Sequence, residues 1–196
     1  MEFSSKELQY IQDQQFLLTK IEIGKKILQL LGSVEQQLQP IIKKHSWPEG
    51  VMAKSGKISK GELYLGLPYY VLDYPRSFSK EGVFAFRTMF WWGNFFSSTL
   101  QISGSYLEQK RLVLRNSISG IHSSKAYICV NESPWEHHFQ PTNYLPIAKM
   151  ELDRLDTMLM KSPFIKLSYC WDLQEYSKLP FLVKQAFSEM VTWLQE

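Results

Sequence analysis

Cysteine is scarce in this 196-residue sequence: there are two, Cys129 and Cys170. Each lies in an apolar run, and neither belongs to a Cys-x-x-Cys pair. A disulfide-framed secreted fold and a thiolate metal site therefore both lack their residues. The expectation is two reduced, buried thiols acting as small hydrophobes; a disulfide would need their strands to be neighbours. No apolar stretch approaches the about 20 residues that span a bilayer. The opening Met1-Glu2-Phe3-Ser4-Ser5-Lys6 has no basic segment followed by an apolar one, so no signal peptide is read there. The expected location is cytoplasmic, with no membrane partner. Charge of one sign is missing too. Lys and Arg number 22 against 19 Asp and Glu, a net charge of +3. The lysine pairs Lys25-Lys26 and Lys43-Lys44 are not the dense basic patch that nucleic acid requires, so no nucleic-acid partner is expected.

Catalytic signatures are also absent. There is no Gly-x-Ser-x-Gly elbow and no Gly-x-x-x-x-Gly-Lys-Ser/Thr phosphate loop. Neither cysteine has a local basic activator. His137 and His138 are adjacent, so in an extended chain they point to opposite faces and cannot share one metal. A site would need His122, Glu132 or Glu136 brought in by the fold. No metal and no cofactor is expected. His45 is explained by its place at a helix C-terminus, where a cation is mildly favoured.

What the sequence does hold is a soluble-protein balance, 44% hydrophobic and 21% charged, and one aromatic stretch from Glu62 to Ser103. Aromatic and β-branched residues favour strands. Gly93-Asn94 is a hairpin signal, so Val83 to Trp91 and Phe95 to Ser103 are expected to pair antiparallel. Phe84, Phe86, Thr88 and Phe90 then share one face, and Ala85, Arg87, Met89 and Trp91 the other. Both faces are largely apolar and should both be covered. Arg87 is the exception and needs a partner; Asp73 is the candidate. The alternative is an anion-binding arginine in a pocket. The turn formers of Asp73 to Ser77, with Pro75, are expected to end the preceding strand. Pro68 marks that strand as an edge or a bulge. Tyr64, Tyr69, Tyr70 and Tyr74 either straddle the core boundary or line a ligand pocket.

Around this stretch lie amphipathic helices. Ser4 to Glu7 is a capping box opening a first helix to about Leu18. Thr19 to Glu22 is a second, predicting a new helix to about His45. Its stripe is Ile23, Ile27, Leu30, Leu31, Val34, Leu38, Ile41 and Ile42, with Pro40 as a late kink. A lysine-, serine- and glycine-rich link covers 51–61, with one short strand near Lys57. Ser105 to Glu108 predicts a helix to Asn116. A loop to Ser124, a strand over Ala126 to Val130 and an irregular stretch over Glu132 to Asn143 follow. Then come a helix from Pro146 to Lys161, a strand over Phe164 to Trp171 and a helix over Leu179 to Gln195.

Runs of strands beside runs of helices indicate an α+β fold. The prediction is an antiparallel sheet of five or six strands packed against amphipathic helices, with an N-terminal helical pair. The chain reads as one domain, 1–196, divided into N-terminal helices (1–46), central aromatic strands (57–103) and mixed helices and strands (104–196). The blocks Gly66-Leu67-Pro68-Tyr69, Leu72-Asp73-Tyr74-Pro75-Arg76 and Phe90-Trp91-Trp92-Gly93-Asn94 resemble those of bacterial α+β families with no assigned activity. That resemblance implies no site residue.

Three functions fit. The first, preferred, is a non-enzymatic binding or interaction protein with an aromatic-lined cavity or surface. Its expected ligand-binding residues are Tyr70, Asp73, Tyr74, Arg76, Arg87 and Trp92, for a small molecule or a protein partner. The second is a small enzyme with a site around Asp73, Tyr74, Arg76 and Arg87, with His137 or His138 in support. The third is a self-associating subunit, a homodimer through the N-terminal helices.

Overall fold

The computed structural model describes residues 2–51 and 55–195; Met52, Ala53 and Lys54, inside the expected link, lie outside the described residues. Helix α1 (Ser5–Gln12) opens on the expected capping box: the Glu7 N–H donates to Ser4 Oγ at 3.3 Å and the Ser4 N–H to Glu7 Oε2 at 2.7 Å. The break to α2 (Gln14–Lys44) comes at Asp13, not Thr19. Asp13 Oδ1 accepts from the Phe16 N–H at 2.8 Å and caps α2, while the Thr19 hydroxyl is taken up by Gln15. The helix runs through Pro40 on its exposed side. Its buried stripe is Gly24, Ile27, Leu31, Val34, Leu38 and Ile42, the steps of three and four that put side chains on one face.

Among the described residues, seven strands form one antiparallel sheet: β1 (Lys57–Tyr64), β2 (Leu67–Phe78), β3 (Val83–Trp91), β4 (Phe95–Ser103), β5 (Tyr127–Cys129), β6 (Tyr144–Pro146) and β7 (Phe164–Asp172), in the order β1-β2-β3-β4-β7-β5-β6. The fold is α+β as predicted, with seven strands rather than five or six. The surplus comes from β6, three residues that the prediction placed at a helix start, and from β1, which is eight residues long rather than a short piece. Consequently β2 is an inner strand, with β1 on the edge. Helices α3 (Gly104–Asn116), α4 (Ile118–Ser123), α5 (Leu152–Lys161) and α6 (Leu179–Thr192) complete the chain with two short 3₁₀ turns. The predicted Ser105 cap is replaced by Ser103, whose hydroxyl accepts from the Val83 N–H at 3.0 Å.

All helical packing is on one sheet face. Phe84, Phe86, Phe90, Phe96, Leu100 and Ile102 meet the α2 stripe and Val183, Phe187 and Met190 of α6. Phe86 and Phe187 lie 4.6 Å apart, and Trp47 stacks on Phe187 at 6.0 Å. Each such side chain contributes about 1.5–3 kcal/mol by leaving water. The Ile23-to-Ile42 stripe is thus covered by its own chain. Most of the apolar residues left exposed on the helical pair, among them Leu8, Ile11, Phe16 and Leu18, lie N-terminal to it; Leu28, on the outer side of α2, is exposed within it. Among the described residues, no helix is long and apolar enough to cross a membrane.

Candidate functional site

The opposite sheet face is polar at its centre, and register explains how. Asp73 pairs with Arg87, Arg87 with Thr99, and Thr99 with Ser168, so these four form one row across β2, β3, β4 and β7. The next row on the same face is Arg76, Ala85, Gln101 and Lys166. Asp73 and Arg76 are three apart, so an unbroken strand would put them on opposite faces. Between them β2 gains one residue, with a cis Tyr74–Pro75 peptide. This bulge restores Arg76 to the face of Asp73 and turns Tyr74 to the helices. Pro75 therefore marks a bulge within one strand, not the end of it.

The Asp73 carboxylate takes both prongs of the Arg87 guanidinium, Nε to Oδ1 at 2.7 Å and Nη2 to Oδ2 at 3.0 Å. Their side chains are 6% and 17% exposed. The predicted partner is thus the actual one, in the planar two-bond geometry that suits arginine. Beside this pair, Lys166 is 1% exposed and donates to the Glu136 carbonyl at 2.6 Å. Burial, helped by the Arg87 charge, pulls its pKa down to about 8. The Thr99 and Ser168 hydroxyls bond each other at 2.7 Å, beside the buried Tyr144 hydroxyl. Among the described residues, buried Arg76 Nε and Gln101 Nε2 have no hydrogen-bond partner. Ala85 stands between these two, the smallest side chain of the row.

Residues 131–143 roof this face. Tyr64 holds the roof: its hydroxyl donates to Glu136 Oε2 at 2.9 Å and accepts from the His137 and His138 N–H groups at 2.7 and 3.0 Å. Phe139 stacks on Tyr144 at 4.6 Å. His137 Nε2 lies 3.5 Å from Arg87 Nη1. Burial first, then the Lys166, Arg87 and His138 charges, push its pKa down to about 2. The folded pKa is below the unfolded value. His137 therefore supports folding above about pH 6.5, and this is lost as pH falls below it, at up to about 1.4 kcal/mol per pH unit. Urea midpoints measured from pH 6.5 to 4 should fall steeply in the native protein and less so in His137→Gln. Equal slopes would mean that His137 takes up its proton while folded.

The six expected binding residues divide between the two faces. Asp73 and Arg87 are paired under the roof, and Arg76 lies on the same sheet face in the next row. Tyr70, Tyr74 and Trp92 are on the helical side: Tyr70 packs near Phe90, its hydroxyl 2.7 Å from where a Cβ on Gly24 would stand; Tyr74 is in the core; Trp92 packs edge-on to Phe90 at 5.3 Å. Gln101 and Lys166 were missed. Their signal was a long polar side chain at an inward position of an apolar strand, as in Phe164-Ile165-Lys166-Leu167, the same signal that singled out Arg87. Among the described residues no group of three or more His, Cys, Asp or Glu is placed to hold a metal ion. Both cysteines are free, Cys129 buried and Cys170 partly exposed. No family model matches the chain, and no curated protein and no solved structure is significantly similar to it.

Proposed function

We propose that this protein binds a small anion, a carboxylate or phosphate group of a metabolite-sized ligand, above Ala85 on the roofed sheet face. One observation carries the reading. Arg76, Arg87, Gln101 and Lys166 surround Ala85 on one face, the only carboxylate in these rows is Asp73, and Arg76 Nε and Gln101 Nε2 are buried donors without an acceptor. Buried polar groups are nearly always hydrogen-bonded, because leaving one unpaired costs roughly 1–3 kcal/mol. A surplus of donors calls for an acceptor, and an anion supplies several. Entry is from the Arg76 end, where Arg76 and Val83 are partly exposed and Phe78 is open to solvent. Nothing in the arrangement requires bond chemistry, so the role is binding rather than catalysis.

Isothermal titration with inorganic phosphate and with acetate tests this. Arg76→Met and Gln101→Leu should each weaken binding by about tenfold, or 1.4 kcal/mol, while the melting temperature is held. Lys166→Met should also weaken binding. Binding should fade as pH rises through about 8, where Lys166 loses its proton. No heat with either anion at millimolar concentration would overturn the reading.

A further inference from the structure

The second site is at a strand edge, and it is independent of the anion cluster. Strand β7 pairs with β4 along its whole length, from Phe164 opposite Ser103 to Asp172 opposite Phe95. On its other side it is paired with β5 at only two positions, Leu167 with Ile128 and Ser168 with Tyr127. The chain before β5 does not continue along β7. It turns away at Ser124, whose hydroxyl bonds the Ile121 carbonyl at 2.7 Å and the Ala126 N–H at 3.2 Å. Residues 169–172 therefore have one open edge, about 13 Å long at roughly 3.3 Å per residue.

A cleft of about 580 Å³ lies along this edge. Tyr169, Cys170 and Trp171 all line it. Successive strand residues point to opposite faces, so a cleft touched by all three views the strand from its edge, not from a face. The opposite wall is one stripe of α6: Leu182, Gln185, Ala186 and Glu189, at the helical spacings of three and four. Glu189 is held by the Tyr169 hydroxyl at 2.5 Å, and the Tyr169 and Trp171 rings stack at 6.1 Å, so the walls are braced.

We infer that this groove is a docking site for an extended peptide segment of a partner protein, which adds to the sheet as a strand antiparallel to β7 and in line with β5. A strand edge beside a helix is a peptide-recognition geometry in which main-chain hydrogen bonds give affinity and alternate side chains give specificity. An unpaired edge is also what folded proteins otherwise cover or shorten. The chemistry of the walls defines the occupant. Leu182, Ala186 and Trp171 take an apolar side chain at every second position. Lys125 and Glu189 bring opposite charges to the cleft, so a strongly charged peptide of either sign is disfavoured.

The test uses the full chain and a phage-displayed heptapeptide library. Enriched peptides should alternate apolar and polar residues. Synthetic copies methylated on every second backbone nitrogen should bind at least tenfold more weakly. Bound peptide should slow amide exchange at Tyr169 to Asp172. Gln185→Trp, an exposed position on the α6 wall, should block binding without changing the melting temperature. The proposal is overturned if no sequence is enriched, or if enriched peptides ignore both N-methylation and Gln185→Trp. It is equally overturned if sedimentation shows a dimer in which the 169–172 amides are protected without peptide, since the occupant would then be a second copy.

Discussion

Asp73→Ala is expected to lower the free energy of unfolding by about 3–5 kcal/mol, because it strands the Arg87 guanidinium in a place it cannot leave. Arg87 sits in the middle of a seven-stranded sheet, two strands from the β1 edge, with the roof above it. Its other neighbours are the Phe78 ring, Lys166 and His137, none of which carries a negative charge to neutralise it. The converse variant, Arg87→Met, strands a carboxylate whose side chain is 6% exposed and should cost a similar amount. The double variant Asp73→Leu with Arg87→Met should recover much of the loss, since a buried ion pair and a well-packed apolar pair of like volume are often close in stability. Urea melts of the four proteins give the coupling between the two sites directly. Single losses of under about 1 kcal/mol would put the pair in the class of solvated surface bridges, and the roof would then have to be open. Weak anion binding by Arg87→Met is informative only if that variant remains folded.

Gly104→Ala should have an effect of similar size for a different reason. Gly104 has φ +60° at the junction of β4 and α3, and a Cβ there would lie 2.0 Å from the Glu81 carbonyl oxygen. Gly82 faces it with φ +153°, and a Cβ on Gly82 would lie 2.2 Å from the Ser103 oxygen. The obstacles are backbone atoms, which cannot swing aside as a side chain can. The Ser105 N–H donates to the Glu81 carbonyl at 2.9 Å, so the contact also ties the β2–β3 turn to the start of α3. A strained backbone alone costs about 1–3 kcal/mol; with the clash added, the loss should reach the upper end of that range or exceed it. Gly66→Ala is the control: it has φ +81° but nothing within 4 Å of its Cβ, so strain acts alone. Thermal melts of the two variants should differ clearly; equal shifts would mean that the junction relaxes.

Several features were legible because they depend on neighbours in sequence. The α2 stripe follows from helical spacing, the β3–β4 hairpin from Gly93-Asn94, and the division of β3 into a phenylalanine face and an Arg87 face from strand alternation. Asp73 as the partner of Arg87 could be named because a buried guanidinium admits few solutions. Local signals failed where two of them competed. Asp13 and Thr19 can both cap a helix, and the sequence does not rank them. Proline at position 75 signals a turn or a bulge equally well.

Residue chemistry by itself determined the α+β class, the covered sheet and the need to neutralise Arg87. Tertiary structure alone decided which polar residues meet. The one-residue bulge after Asp73 moves Arg76 to the Arg87 face and sends Tyr74 away from it, and strand order sets Gln101 and Lys166 in the row beyond Ala85. Strand order also leaves the β7 edge open past Ser168. Side-chain period fixes what lies on a face; only the pairing of distant strands fixes what lies side by side on it.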